Sequence, residues 1–160
     1  SIKPELKWPN DLTINGKKVA GMLVDVSLES NRIENLVLGV GINFDVNTKQ
    51  IEKSLKGTPN FYGVASLRDE NQKVKPIQLV QTFLLELEKI YKALNEKQIK
   101  KIISEWTSRS STIGKNVELN TTDSKIKGKA IKIDDDGALI VSENNKIHKV
   151  IAGDIIHLSK

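Results

Sequence analysis

The chain has 160 residues, of which 38% are apolar and 28% charged, a composition typical of a soluble globular protein. Aromatic residues make up 4%, so the core is expected to be aliphatic. The absence of cysteine excludes disulfides, thiolate metal sites and cysteine nucleophiles, and two histidines disfavour a histidine-rich metal site. No apolar run approaches the ~20 residues of a membrane span and no signal peptide opens the chain, so we expect a cytoplasmic protein without a membrane partner.

The formal net charge is +5, with an isoelectric point of about 9.3. The excess of positive charge is divided between both halves of the chain, which disfavours a nucleic-acid-binding arm. A phosphate-bearing ligand remains as the specific functional explanation of the charge. The sequence starts with serine rather than methionine, and a conspicuous motif follows within a few residues. We therefore expect it to be part of a larger working unit.

The first third of the chain has the pattern of a β-sheet. A short strand ends at the Asn15-Gly16 pair, a dipeptide typical of tight hairpins, and an apolar strand follows over residues 19–26. Another apolar run covers residues 36–44. The near-continuous apolar character predicts strands that are buried on both faces of an antiparallel sheet.

Helical patterns occupy the middle of the chain. Residues 48–56 have helical spacing and end before Gly57, and Pro76 opens the longest helix. A second long pattern follows over residues 99–106. The apolar stripes of both long helices are expected to face the core rather than a partner.

Five short apolar runs follow residue 111, with turns at Asp136-Gly137 and Asn144-Asn145. They predict a small SH3-like β-barrel. The fold class is therefore α+β: a mixed or antiparallel sheet with helices, followed by this barrel. We expect two domains, covering residues 1–108 and 109–160.

The first candidate functional motif is Lys-Trp-Pro-Asn-Asp at residues 7–11. Proline gives this segment a defined path, and a lysine held there would suit a phosphate or a developing negative charge. Asp11 could orient a lysine or help to hold Mg²⁺. A polar turn entering a strand is an equally good interpretation of these residues alone.

A second group of residues lies in the apolar strands. Lys18 could reach into a cleft, although a lysine at a hairpin end is more often only solubilising, and strict alternation would place it on the opposite face from Gly21. Gly39 and Gly41 leave space beside their strand for a ligand or a closely packed strand. Asn43 has the donor and acceptor that match a purine edge.

The order and spacing of these motifs resemble those of biotin protein ligases. The matching segments are residues 7–11, residues 15–24 (Asn-Gly-Lys-Lys-Val-Ala-Gly-Met-Leu-Val) and residues 39–43 (Gly-Val-Gly-Ile-Asn), and the tail from Trp106 resembles the family's C-terminal SH3-like domain. The resemblance implies the later part of a catalytic domain of the class II synthetase type. It also implies an ATP-dependent enzyme, with Mg²⁺, that makes biotinyl-5′-AMP from biotin and ATP.

The second step implied by the resemblance is transfer of biotin to a lysine of a biotin carboxyl carrier protein. Lys7 and Lys18 would contact the biotin carboxyl and the α-phosphate, and Asp11 would position the acceptor lysine or a metal. The implied catalytic residues are thus Lys7, Asp11 and Lys18, with no residue assigned as a dedicated metal ligand. The implied substrate-binding residues are Trp8, Asn10, Gly21, Leu23, Gly41 and Asn43.

One family feature is missing from the chain, namely the glycine- and arginine-rich loop for biotin and phosphate. We therefore expect the N-terminal half of the ligase to be a separate chain or a cleaved segment, and a homodimer is a further possibility. The alternatives are a lipoate–protein ligase-type enzyme, and a non-catalytic module whose small basic barrel binds nucleic acid.

Overall fold

The structure, a computed structural model, describes residues 2–30, 32–58, 60–70, 73, 75–121 and 125–158. Its class is α+β, as predicted. The strands are β1 (Pro4–Lys7), β2 (Asp11–Ile14), β3 (Lys17–Glu29), β4 (Arg32–Ile42), β5 (Asn116–Asn120), β6 (Lys125–Ile133), β7 (Leu139–Glu143), β8 (Lys146–Val150) and β9 (Asp154–His157). The helices are α1 (Thr48–Leu55), α2 (Leu67–Glu70), α3 (Pro76–Asn95) and α4 (Ile99–Ser108). Within the described ranges, no helix combines the length and the apolar character needed to cross a membrane.

The chain divides into two compact units. The first consists of Ser1–Pro4 and Asn10–Gln72, and the second of Glu5–Pro9 and Lys73–Lys160. The boundary between independently folding domains at residues 108 and 109 stays a prediction.

In the first unit, β2, β3 and β4 are consecutive antiparallel strands, as the sequence predicts. Asn15 and Gly16 join β2 to β3 with φ angles of 51° and 75°. Positive φ at both central residues is the type I′ turn that matches the twist of the flanking strands, which explains the Asn-Gly pair. A smaller core beneath this sheet contains Ile14, Val19 and Ala65.

One surface of the β3–β4 hairpin is wholly apolar. Residues directly opposite each other in an antiparallel pair share a face. This surface, called here the apolar face, therefore consists of the pairs Met22–Val40, Val24–Leu38, Val26–Leu36 and Leu28–Ile33. Its outer part is open to solvent, because Leu28 is 67% exposed and Leu36 58%. The expectation of strands buried on both faces is wrong for residues 23–26 of β3 and for Leu36 and Val37 of β4, since no described element of the first unit covers them.

The second unit contains the two long helices, and Pro76 begins α3 as predicted. The expectation that the stripe of α3 lies in the core is wrong, because Leu84 is 55% exposed and Tyr91 62%. The expectation for α4 is partly confirmed, since Ile103 and Trp106 pack against the main core.

The remaining strands form a five-stranded antiparallel sheet in the order β8-β7-β6-β5-β9. Its buried core is aliphatic, as composition predicts, with the exception of Trp8. Trp8 is 3% exposed, and its Nε1–H donates to the carbonyl oxygen of Gly137 at 3.1 Å. The peptide bond between Trp8 and Pro9 is cis.

Candidate functional site

The position of Lys18 is set by an irregularity in the pairing of β2 and β3. Leu12 lies opposite Ala20 and Thr13 lies opposite Lys18, so two residues on β2 face three on β3. The extra residue, Val19, is a β-bulge, and one extra residue moves a side chain to the other face of a sheet. Lys18 therefore shares a face with Gly21. The expectation of strict alternation, which separated these two residues, is wrong because of the bulge.

The ammonium of Lys18 is held in place by a carboxylate. Lys18 Nζ lies 2.6 Å from Asp11 Oδ1, and the hydroxyl of Tyr62 donates to Asp11 Oδ2 at 2.6 Å. A Cβ built on Gly21 would lie 2.8 Å from Lys18 Nζ and 3.1 Å from Asp11 Oδ1. Only glycine leaves room at position 21 for the ion pair to lie across the strand.

The backbone of Lys18 is also fixed. Its N–H donates to the carbonyl oxygen of Gly63 at 3.1 Å, and its own carbonyl accepts from the N–H of Ala65 at 2.8 Å and from Asn43 Nδ2 at 3.0 Å. Gly63 has a φ of 101°, a conformation that favours glycine. These hydrogen bonds place the segment that carries Tyr62 directly beside the start of β3.

The neighbouring lysine has a different role. Lys17 Nζ pairs with Glu52 Oε1 of α1 at 2.8 Å, and both side chains are largely exposed. The ion pair lowers the pKa of Glu52, chiefly through the hydrogen bond from Lys17. Lys17 thus supports α1, whereas Lys18 is the lysine that lines the cleft of the first unit.

This cleft has a volume of about 660 Å³. It is lined by Asn10, Lys18, Ala20, Gly21, Met22, Leu23, Gly39, Val40, Gly41, Ile42 and Asn43. A Cβ on Gly39 or Gly41 would meet only backbone oxygens, at 3.6 Å and 3.9 Å, which are ordinary contacts. Packing within the described residues does not require these two glycines. Their absent side chains instead keep the backbone accessible, which favours the ligand interpretation over a closely packed strand.

Two asparagines predicted to bind substrate make structural hydrogen bonds. The side-chain amide of Asn10 donates to the carbonyl oxygen of Met22, and the N–H of Met22 donates to the carbonyl oxygen of Asn10. Asn43 uses one amide hydrogen on Lys18. Both residues nevertheless line the cleft, and their contacts with substrate stay predictions.

The first three residues of the 7–11 motif belong to the second unit. Lys7 is 7% exposed, and the N–H of Trp8 donates to Thr112 Oγ1 at 3.1 Å. The same oxygen lies 3.2 Å from His157 Nε2. Burial, reinforced by the positive charges of Lys7 and Lys115, lowers the pKa of His157 to about 4. This histidine is therefore neutral near pH 7.

The described residues do not offer a built metal site. They contain no group of three or more histidine, aspartate and glutamate side chains that could hold an ion. Asp11, the residue considered for Mg²⁺, has one oxygen on Lys18 and the other on Tyr62. The contacts of Asp11 therefore fit a role in orienting the lysine.

Sequence reasoning missed Tyr62. It lies in a loop where no periodic pattern points to a function, and Gly63 beside it was the only local signal. The burial of the phenol and its hydrogen bond to Asp11 raise the pKa of Tyr62 well above its usual range. The hydroxyl therefore stays protonated and acts as a hydrogen-bond donor.

Two known families match this chain. Residues 1–43 match the Biotin/lipoate A/B protein ligase family, and residues 112–158 match the Biotin protein ligase C terminal domain. The Bifunctional ligase/repressor BirA of Bacillus subtilis is 32% identical over 96% of this chain and 46% of its own length. The Biotin–[acetyl-CoA-carboxylase] ligase of Mycobacterium tuberculosis is 31% identical over 96% of this chain and 53% of its own length.

Solved structures agree on the fold. The biotin protein ligase from Aquifex aeolicus in complex with biotin and ATP aligns with a TM-score of 0.77 and 22% identity, covering 97% of this chain and 62% of that one. The apo structure of the same ligase aligns with a TM-score of 0.79. The chain spans about half the length of the curated relatives it matches. Both ends of the chain thus match ligase families, and the chain belongs to the biotin protein ligase family.

Proposed function

We propose that this chain supplies part of the catalytic site of an ATP-dependent biotin–protein ligase. The observation that carries the proposal is the Lys18 ammonium, held over Gly21 by Asp11 at the glycine-lined cleft. A fixed positive charge beside an accessible backbone is suited to an anionic ligand whose charge increases during reaction. The sequence similarity over 96% of the chain to a named biotin ligase supports the same assignment.

The proposed reaction has two steps. A carboxylate oxygen of biotin attacks the α-phosphorus of ATP, and pyrophosphate leaves, which gives biotinyl-5′-AMP. The neutral amine of a lysine on the biotin carboxyl carrier protein then attacks the biotinyl carbonyl. An amide forms, AMP leaves, and the amine loses a proton. Because the mixed anhydride is already activated, correct placement of the amine provides much of the rate enhancement in the transfer step.

Lys18 would neutralise charge that develops on the α-phosphate, whereas contact of the buried Lys7 with the biotin carboxyl stays a prediction from the family resemblance. Gly21 and Leu23 would border the biotin, while Gly41 would admit the nucleotide and Asn43 would bind adenine through its remaining amide groups. Mg²⁺ would enter as the counterion of ATP. The burial of Trp8 favours a role in holding the 7–11 motif rather than direct contact with substrate.

The partners are proposed on the exposed apolar surfaces. The apolar face of β3–β4 and the stripe of α3 each expose large aliphatic side chains to solvent. Large exposed apolar patches are rare on monomeric soluble proteins and usually mark an interface. We propose that the catalytic portion present in the longer relatives, as a further segment or a separate chain, covers them. The acceptor of biotin would be a biotin carboxyl carrier protein. The enzyme would act in the cytoplasm. A homodimer is compatible with this arrangement.

The test is biotin-dependent exchange of labelled pyrophosphate into ATP by the complete ligase. In wild type we expect exchange with biotin and none with lipoate. Lys18→Met should lower the rate by about 10²–10³, as loss of a charge-stabilising donor commonly does. Intact-mass measurement of the purified enzyme should show either a longer chain or a second polypeptide.

Lys17→Met is the matched control, because it removes a neighbouring lysine that pairs with Glu52 on the surface. We expect its exchange rate to stay within about twofold of wild type, since exposed pairs contribute little. Pyrophosphate exchange that depends on lipoate instead of biotin would show that lipoate is the substrate and would contradict the proposed function. Equal losses in the two lysine variants would remove the special role of Lys18.

A further inference from the structure

Tyr62, Asp11 and Lys18 form a continuous chain of contacts. The phenol donates to one carboxylate oxygen of Asp11, and the other carboxylate oxygen lies 2.6 Å from the Lys18 ammonium. The side chain of Asp11 is 16% exposed, whereas that of Lys18 is 44% exposed. The carboxylate is thus the inner, ordered element of the chain, and the ammonium is the end that solvent and ligands can reach.

A carboxylate without a second contact can rotate about its Cβ–Cγ bond and so present its charge in several directions. The hydrogen bond from Tyr62 to Oδ2 removes this freedom and fixes the direction in which Oδ1 points. Tyr62 is itself anchored, because the adjoining residue Gly63 accepts a hydrogen bond from the backbone of Lys18. The backbone segments that carry the phenol and the ammonium are therefore hydrogen-bonded to each other.

We propose that Tyr62 is a positioning residue for Lys18, acting through Asp11. The inference deepens the proposed ligase function and rests on it for its kinetic consequence. The hydroxyl fixes the carboxylate, the carboxylate fixes the ammonium over Gly21, and the ammonium is then placed before the α-phosphate arrives. Preorganisation of this kind lowers the cost of charge development in the transition state.

The kinetic test is a double-mutant cycle in the complete ligase. Tyr62→Phe should lower the rate of biotin-dependent pyrophosphate exchange by about tenfold at saturating substrates. In an Asp11→Asn background the same change should cause almost no further loss, because the amide no longer transmits the position of the phenol. Tyr91→Phe is the matched control, because it removes the hydroxyl of the other tyrosine in the sequence and keeps the ring, and it should leave the rate unchanged.

A second readout does not need activity. The ¹³Cε and ¹⁵Nζ signals of Lys18, assigned with a Lys18→Arg reference, report the surroundings of the ammonium. Tyr62→Phe should shift these signals and Tyr91→Phe should not. Asp11→Asn should also shift them, which keeps the test open if Tyr62→Phe does not fold.

The outcomes separate the two proposals. A wild-type enzyme without biotin-dependent exchange would overturn the ligase function, while the Lys18 signals would still test the positioning. Losses that add in the double mutant, or Lys18 signals unaffected by Tyr62→Phe, would overturn the positioning role even in an active ligase.

Discussion

The pKa of His157 gives a prediction for stability against pH. The ring is half-buried beside Thr112, and burial together with the charges of Lys7 and Lys115 lowers its pKa from 6.5 to about 4. Between these two values the unfolded chain binds a proton that the folded chain does not. Lowering the pH through this window therefore destabilises the fold, and the full penalty is reached below pH 4.

The magnitude follows from the difference of about 2.5 pKa units, which corresponds to about 3.4 kcal/mol at 1.36 kcal/mol per unit. Because the ring is only partly buried, screening by solvent reduces the penalty, and we expect about 1–2 kcal/mol. The perturbation is His157→Gln, which keeps a polar group near Thr112 but cannot take up a proton.

The assay is urea unfolding of wild type and His157→Gln at pH 7.5 and pH 4.5. From pH 7.5 to pH 4.5, the free energy of unfolding of wild type should fall by about 1–2 kcal/mol more than that of His157→Gln. His148→Gln is the control, because it removes the other histidine and leaves the contribution of His157 in place. Equal losses in wild type and His157→Gln, or a His157 ring signal that titrates near 6.5 by NMR, would refute the reasoning.

Two glycine substitutions should separate activity from stability. Gly21→Ala places a Cβ 2.8 Å from the flexible end of Lys18, so the ammonium moves; exchange of pyrophosphate should fall by about tenfold to a hundredfold, with the melting temperature nearly unchanged. An unaltered exchange rate would show that position 21 does not hold the lysine. Gly128→Ala places a Cβ 2.2 Å from the backbone oxygen of Ser142, where no flexible group can yield. The free energy of unfolding should fall by at least about 2 kcal/mol, measured by urea denaturation, and a variant as stable as wild type would contradict this packing.

Local signals were sufficient for most elements of the fold. The Asn15-Gly16 pair predicted the first hairpin because few residues accept positive φ at two consecutive positions, and Pro76 marked the start of α3 because proline suits the first helical turn. The five strands after residue 111 were separated by turn residues such as Gly137, whose φ is 83°. Each of these signals depends only on neighbouring residues.

The geometry of the site depends on pairing that such signals do not contain. The side-chain period of a strand cannot reveal the bulge at Val19, because the bulge arises from the register with β2. The contact between Tyr62 and Asp11 joins residues 51 positions apart in the sequence, through a loop without a periodic pattern. The exposure of Leu28 and Leu36 was missed because apolar composition indicates a surface that needs a cover, not whether this chain supplies it.

The burial of Trp8 has a consequence for the order in which the protein can form as it is synthesised. Its core neighbours include Val117, Leu139 and Ile155, more than 100 residues further along the chain. At about 5–20 residues per second, the ribosome needs roughly five to thirty seconds to deliver them. During that interval the indole stays in solvent or in transient contacts. The segment after it, which includes Asp11, can pair with β3 much earlier, so the two parts of one short motif reach their final surroundings at different times during translation.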